Sequence, residues 1–104
     1  MTNSLFIDTS DRDKVAIGLE IGRVKTENTI PLPKYDSRNI LIAINDILDQ
    51  NKLLPTDLDE IFCNPGPGSY TGLRVGASIA NTLSVFLNIP LNKTKKRLVQ
   101  LKYA

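Results

Sequence analysis

The segment Asn64-Pro65-Gly66-Pro67-Gly68-Ser69-Tyr70-Thr71-Gly72-Leu73-Arg74-Val75-Gly76 constrains this chain more than any other. A short apolar run, Ile61-Phe62-Cys63, precedes it, and a long helix-like run starts near Thr71. The order is therefore strand, glycine-rich turn, helix start. Pro65 and Pro67 stiffen the turn, while Gly66 and Gly68 open backbone angles closed to other residues. Ser69 and Thr71 can accept hydrogen bonds from the first free N–H groups of the helix. Such a loop either cradles an anion or lets another backbone approach closely. No Lys-Ser or Lys-Thr follows the glycines, so it is not a Walker A loop, and the tight structural turn is the favoured reading.

Patterning around this segment predicts an α/β domain. Residues 4–9 read as a short buried strand. Residues 14–21 alternate, with Val15, Ile17, Leu19 and Ile21 on one side and Lys14, Ala16, Gly18 and Glu20 on the other. Gly22-Arg23 suits a two-residue hairpin with glycine first. Residues 24–30 form a polar strand ended by Pro31 and Pro33, as befits a sheet edge. A helix from Ser37 to Gln50 carries an apolar stripe of Ile40, Leu41, Ile44, Ile47 and Leu48, with Ile42 pointing elsewhere. Pro55–Asp59 reads as a short helical turn in which Thr56 and Asp59 have capping-pair spacing. Glu60–Asn64 is a fourth strand, Thr71–Leu87 a second helix, and Ile89–Leu91 the start of a fifth strand.

In the second helix Gly72, Gly76, Ala80 and Ser84 recur every fourth residue, while Leu73, Ile79, Leu83 and Phe86 are placed to meet the sheet. A flat stripe of this kind admits another helix at close range. Packing on the chain's own first helix and association with a partner are both open. On the partner reading, enlarging Gly76 or Ala80 weakens association more than it unfolds the monomer.

Composition excludes several chemistries. The 104 residues contain no histidine, which rules out Ser-His-Asp and Cys-His catalysis and histidine-ligated metal. Asp8, Asp11 and Asp13 lack the glycine and glutamate spacing of a calcium loop. One cysteine fits a reducing compartment, and Cys63 in an apolar strand reads as core. The N-terminus lacks the basic region of a signal peptide, and the uncharged stretch between Arg74 and Lys93 reads as a buried helix rather than a membrane span. The net charge of +2 hides an asymmetry. Lys93, Lys95, Lys96, Arg97 and Lys102 are basic, whereas all acidic residues lie earlier, so residues 1–92 are an acidic body and 93–104 a basic tail. A solvated terminus is favoured over an RNA-binding one, because no aromatic-rich binding face accompanies the tail.

The glycine-rich string resembles the signature of the TsaB (YeaZ) family, a subunit of the bacterial machinery that makes threonylcarbamoyladenosine in tRNA. Leu5-Phe6-Ile7-Asp8-Thr9-Ser10 resembles that family's first strand and its Asp-Thr-Ser end, Ser37–Leu48 its first helix, and Leu58-Asp59-Glu60-Ile61 its lead into the signature. The similarity runs from about Leu5 to Leu91 and stops at Asn92, where the family continues its fifth strand, a third helix and a second lobe. It implies the ribonuclease-H-like, actin-like ATPase superfamily fold. That is a mixed sheet of order 3-2-1-4-5 with strand two antiparallel, and the right-handed crossover rule then puts both helices on one face. Residues 1–92 correspond to the family's N-terminal lobe.

The resemblance implies a non-catalytic subunit, since the family's catalytic paralogue uses histidines and two lobes. It implies no cofactor or metal, and a cytoplasmic protein away from membranes. It implies a TsaD-like catalytic paralogue and a TsaE-like ATPase as partners, a homodimer as an alternative, and tRNA contacted only through the complex. The loop or anion site comprises Asp8, Gly66, Gly68, Ser69, Thr71, Gly72 and Arg74. The partner surface comprises Ile40, Ile44, Gly72, Gly76, Ala80 and Ser84. Arg74, a cation in the first helical turn, opposes the helix dipole and calls for compensation by Asp8, a loop carbonyl or a partner's carboxylate. The rival readings are a self-associating or RNA-binding module, and a glycoprotease-like or phosphotransferase enzyme. If both helices share one face, the other face of the sheet is left bare unless the tail or a second copy covers it.

Overall fold

The computed structural model describes residues 2–31 and 37–93; the basic residues 94–104 lie outside them. Three strands come first: β1 (Asn3–Asp8), β2 (Lys14–Ile21) and β3 (Val24–Pro31). Helix α1 (Ser37–Gln50), a 3-10 turn over Pro55–Asp57, β4 (Glu60–Cys63) and α2 (Tyr70–Leu87) follow. The sheet order is β3-β2-β1-β4, with β1–β2 and β2–β3 antiparallel and β1–β4 parallel.

The alternation read in β2 is what divides the two faces. Val15, Ile17 and Leu19 are fully buried, as are Leu5 and Ile61 beside them, with Ile7 and Cys63 nearly so. Both helices pack on this face, α1 over β2 and β3 and α2 over β1 and β4. Ile40, Ala43, Ile44, Ile47 and Leu48 of α1 join Ile79 and Ala80 of α2 in one core. Leu41, read as part of the stripe, is instead 45% exposed, and Ala43 takes its place. The hairpin turns at Gly22, whose φ of 61° is the left-handed conformation that glycine adopts without strain.

Both helices end in a left-handed residue, Lys52 after α1 and Asn88 after α2. Lys52 N–H donates to the Asp49 carbonyl and Leu53 N–H to the Leu48 carbonyl, closing α1 in a Schellman arrangement. The Ser84 hydroxyl fastens the corresponding end of α2 by donating to the Ile89 carbonyl at 2.5 Å.

Two expectations change here. The short turn before β4 is not capped by Thr56 and Asp59. The Asp57 carboxylate accepts the Leu54 N–H at 2.7 Å, and Asp59 instead accepts the Asn3 N–H at 2.7 Å, tying the turn to the start of β1. The fifth strand is reduced, among the described residues, to one parallel bridge between Ile61 and Leu91. Asn92 is the reason. Its side-chain amide accepts the Cys63 N–H at 2.8 Å and donates to the Cys63 carbonyl at 3.1 Å. These are the main-chain groups that a longer strand would use. Asn92 and Lys93 both have positive φ, 51° and 62°, which turns the chain off the sheet edge.

Candidate functional site

Parallel pairing of β1 with β4 brings their carboxyl ends together, and with them Asp8-Thr9-Ser10 and the glycine-rich loop. Ile7 lies opposite Cys63, and Asn64 N–H continues the ladder to the Ile7 carbonyl at 3.0 Å. The Asp8 carboxylate accepts the Ser10 hydroxyl at 2.6 Å and the Ser10 N–H at 3.0 Å. Asn64 donates its amide to the Ser10 hydroxyl at 3.3 Å, and its own side-chain carbonyl accepts the Gly66 N–H at 3.0 Å. The Ser69 N–H donates to the Ser10 carbonyl at 2.8 Å. Ser10 is thus the hub that joins the first strand to the loop. Partial burial pushes the Asp8 carboxyl upward, but hydrogen bonds from the Ser10 hydroxyl, the Ser10 N–H and the Asn64 amide favour the ionised form. They prevail, and Asp8 ionises below its ordinary range.

The loop glycines have a steric role. A Cβ on Gly68 would stand 2.5 Å from the Ser10 carbonyl oxygen and 2.6 Å from the Ser10 Cβ, so only glycine lets the two backbones come this close. Gly66 has φ 110°, and the Gly66–Pro67 peptide is cis. Ser69 is the N-cap of α2, accepting the Gly72 N–H on its hydroxyl at 3.4 Å and the Leu73 N–H on its carbonyl at 2.8 Å. The N–H groups of residues 66, 69, 72 and 73 are therefore committed within the protein, and Thr71 is exposed. The Arg74 guanidinium donates to the Tyr70 hydroxyl at 2.8 Å and lies over the Tyr70 ring. Asp8 is held by Ser10 and Asn64, two residues that the sequence-based site left out although both lie inside the motifs that defined it.

The second expected site is corrected. Ile40, Ile44, Gly72, Gly76, Ala80 and Ser84 are all buried within the chain itself. The stripe on α2 faces the chain's own sheet because the helix comes down on Thr9, a fully buried residue. A Cβ on Gly76 would collide with the Thr9 hydroxyl and methyl. The large apolar side chains that the helices turn outward are others. On α1 these are Leu41 and Ile42; on α2 they are Tyr70, Val85 and Phe86. Phe86, read as facing the sheet, is 85% exposed. A shallow groove between the helices is lined by Leu41, Ile79, Thr82 and Leu83, and Thr82 also borders the Val85–Phe86 patch. The described residues contain no cluster of three or more potential metal ligands and no helix long and apolar enough to cross a membrane.

Comparison with known proteins agrees with this architecture. Residues 33–94 match the family model described as TsaD, tRNA N6-adenosine threonylcarbamoyltransferase. The tRNA threonylcarbamoyladenosine biosynthesis protein TsaB of Bacillus subtilis (strain 168) is 36% identical over 88 residues, covering 85% of this chain and 38% of that protein. A probable tRNA N6-adenosine threonylcarbamoyltransferase of Drosophila melanogaster is 41% identical over 58 residues, 56% of this chain and 17% of that protein. The solved structure of YeaZ from Pseudomonas aeruginosa superposes with a TM-score of 0.81 at 24% identity, over 88% of this chain and 42% of that one, and shares the fold. This chain therefore covers less than half the length of each of these relatives. Its strand–glycine loop–helix unit, its mixed sheet and its sequence relatives together place the chain in the TsaB (YeaZ) family, related to TsaD and named for tRNA threonylcarbamoyladenosine biosynthesis.

Proposed function

We propose that this chain is a non-catalytic scaffold that supports N6-threonylcarbamoyladenosine formation in tRNA by docking a TsaD-like catalytic paralogue on the outer side of α1 and α2. The observation that carries this reading is the apolar surface there. Phe86, Val85, Leu41 and Ile42 are exposed on helices whose inner faces are already spent on the core. Aromatic and aliphatic residues of this kind, flanking a groove, are the anchors that helix–helix interfaces bury. The absence of histidine from the sequence supports a supporting role rather than the chemistry itself. On this reading a TsaE-like ATPase and tRNA are reached through the assembled complex, in the cytoplasm.

The test is co-purification with the TsaD-like protein of the same genome, followed by calorimetric titration. Phe86→Asp is expected to weaken binding at least tenfold while leaving the melting temperature within about two degrees, since the side chain touches solvent and not core. Equal affinity of the variant, or no binding by the unaltered chain, refutes the reading. Dimerisation of the chain alone through Phe86 would assign the surface to a second copy instead.

A further inference from the structure

The face of the sheet opposite the helices carries an open trough of about 570 Å³. Its ridge is Phe6 stacked on Phe62, centroids 5.0 Å apart and planes within 13°. The Lys25 ammonium stands 4.5 Å from the Phe6 centroid, and the Lys93 ammonium 6.0 Å from that of Phe62. Two cations thus cap the outer faces of an aromatic pair. Beside the ridge, Ala16 and Gly18 leave a low floor. Such a surface is apolar, concave and unmatched by any described element.

We propose that residues 94–104 of this same chain occupy the trough, seating Val99, Leu101 and Tyr103 against Phe6 and Phe62. Three observations point to this occupant. The first is where the described chain goes. Asn92 seals the edge of β4 with its side chain, the positive φ angles of Asn92 and Lys93 turn the backbone away from the strand, and Lys93 arrives over Phe62. Lys93, the last described residue, therefore stands at the rim of the trough. The second is reach. Four strands at about 4.8 Å spacing make a face roughly 15 Å across, and residues 94–104 extended could span roughly 35 Å. The third is chemistry. Strand register puts Glu20 and Glu27 on this face, and Glu60 joins them through its bond to Ser4 at 2.7 Å. Lys14, Lys25 and Lys93 lie on the same face, so the rim carries both signs, and Lys95, Lys96, Arg97 and Lys102 of the segment beyond Lys93 are opposite in sign to its three glutamates. Its apolar residues Val99, Leu101 and Tyr103 alternate with Gln100 and Lys102, so one side of it is apolar and the other polar. This surface is separate from the helix side, and the proposal stands or falls independently of partner docking there.

The full chain, isotope-labelled and dilute, tests it by NMR. Nuclear Overhauser contacts between the rings of Phe6 or Phe62 and the methyl groups of Val99 or Leu101 are expected, unchanged on tenfold dilution. Their absence overturns the proposal. So does their appearance only between chains in a mixed labelled and unlabelled sample, which would assign the trough to a second copy. A second measurement uses the double variant V99S/L101S. Hydrophobic-dye fluorescence is expected to rise several-fold over the unaltered chain with the far-UV spectrum preserved. Equal dye binding by the two chains would overturn the proposal as well, and if the variant fails to fold the contacts in the unaltered chain decide alone.

Discussion

Gly76 lies directly against Thr9: a Cβ on the glycine would fall inside contact distance of the Thr9 hydroxyl oxygen and within 3.0 Å of its methyl. Helix α2 can approach β1 this closely only because position 76 has no side chain. Thr9 is fully buried, and its hydroxyl has no hydrogen-bond partner among the described residues.

The first prediction follows from that contact. Gly76→Ala is expected to destabilise the chain by about 1–3 kcal/mol, the usual cost of overpacking, and Gly76→Leu to prevent folding. The loss is in the monomer, contrary to the expectation that enlarging Gly76 acts on association. Thr9→Val, which removes an unpaired buried hydroxyl at constant shape, is expected to be neutral or to stabilise by roughly 1 kcal/mol. Urea denaturation of the three variants checks both signs. A Gly76→Ala chain as stable as the parent would show that Thr9 has room to move.

The Asp8–Ser10 contact makes stability depend on pH. Because the folded carboxyl ionises below its ordinary value, its contribution is complete above the unfolded-state value and is lost as pH falls through the folded one. Asp8→Asn is expected to cost roughly 1 kcal/mol at pH 7, a charge-assisted bond discounted for partial exposure. The difference between variant and parent should shrink towards zero in acid. Thermal melts from pH 7 down to pH 2 measure it, and a constant difference would mean that Asp8 is held by geometry and not by charge.

Cys63 is expected to resist alkylation in the native chain. Burial first, and the negative charge of Asp8 second, push its thiol up to about 12, and the side chain is only 3% exposed. Its folded value lies above the unfolded one, so the fold is undisturbed while the thiol is protonated in both states and loses stability as pH rises past the unfolded value towards about 12. Iodoacetamide at pH 8.5 should modify the native protein more than about a hundredfold more slowly than the urea-unfolded one. Similar rates in both states would place the thiol at the surface.

Much of the fold was legible because local rules and global packing agree. The β2 alternation identified the buried side, the bounds of α1 followed from its apolar spacing, and the glycine loop marked the junction of β4 with α2. Within the candidate site, Asp8, Gly68 and Ser69 were readable from their motifs. Ser10 and Asn64 were not singled out, since a serine or asparagine in a turn has many uses until its neighbour is known.

What the residue order determined by itself was therefore local: which segments are strands and helices, where the loop turns, and which side of β2 is apolar. What only tertiary structure decided was direction and termination. A helix with no charge beyond its first turn, such as α2 after Arg74, has two faces fit for burial, the small stripe and the side bearing Phe86. The close seat of Gly76 on Thr9 chose the first and left Phe86 outside. Likewise Ile89-Pro90-Leu91 reads as a strand, yet Asn92 uses its side chain to take the pairing groups of Cys63, and among the described residues the pairing goes no further than the Ile61–Leu91 bridge. Periodicity describes one element at a time, whereas these outcomes depend on atoms that meet only after two elements have packed.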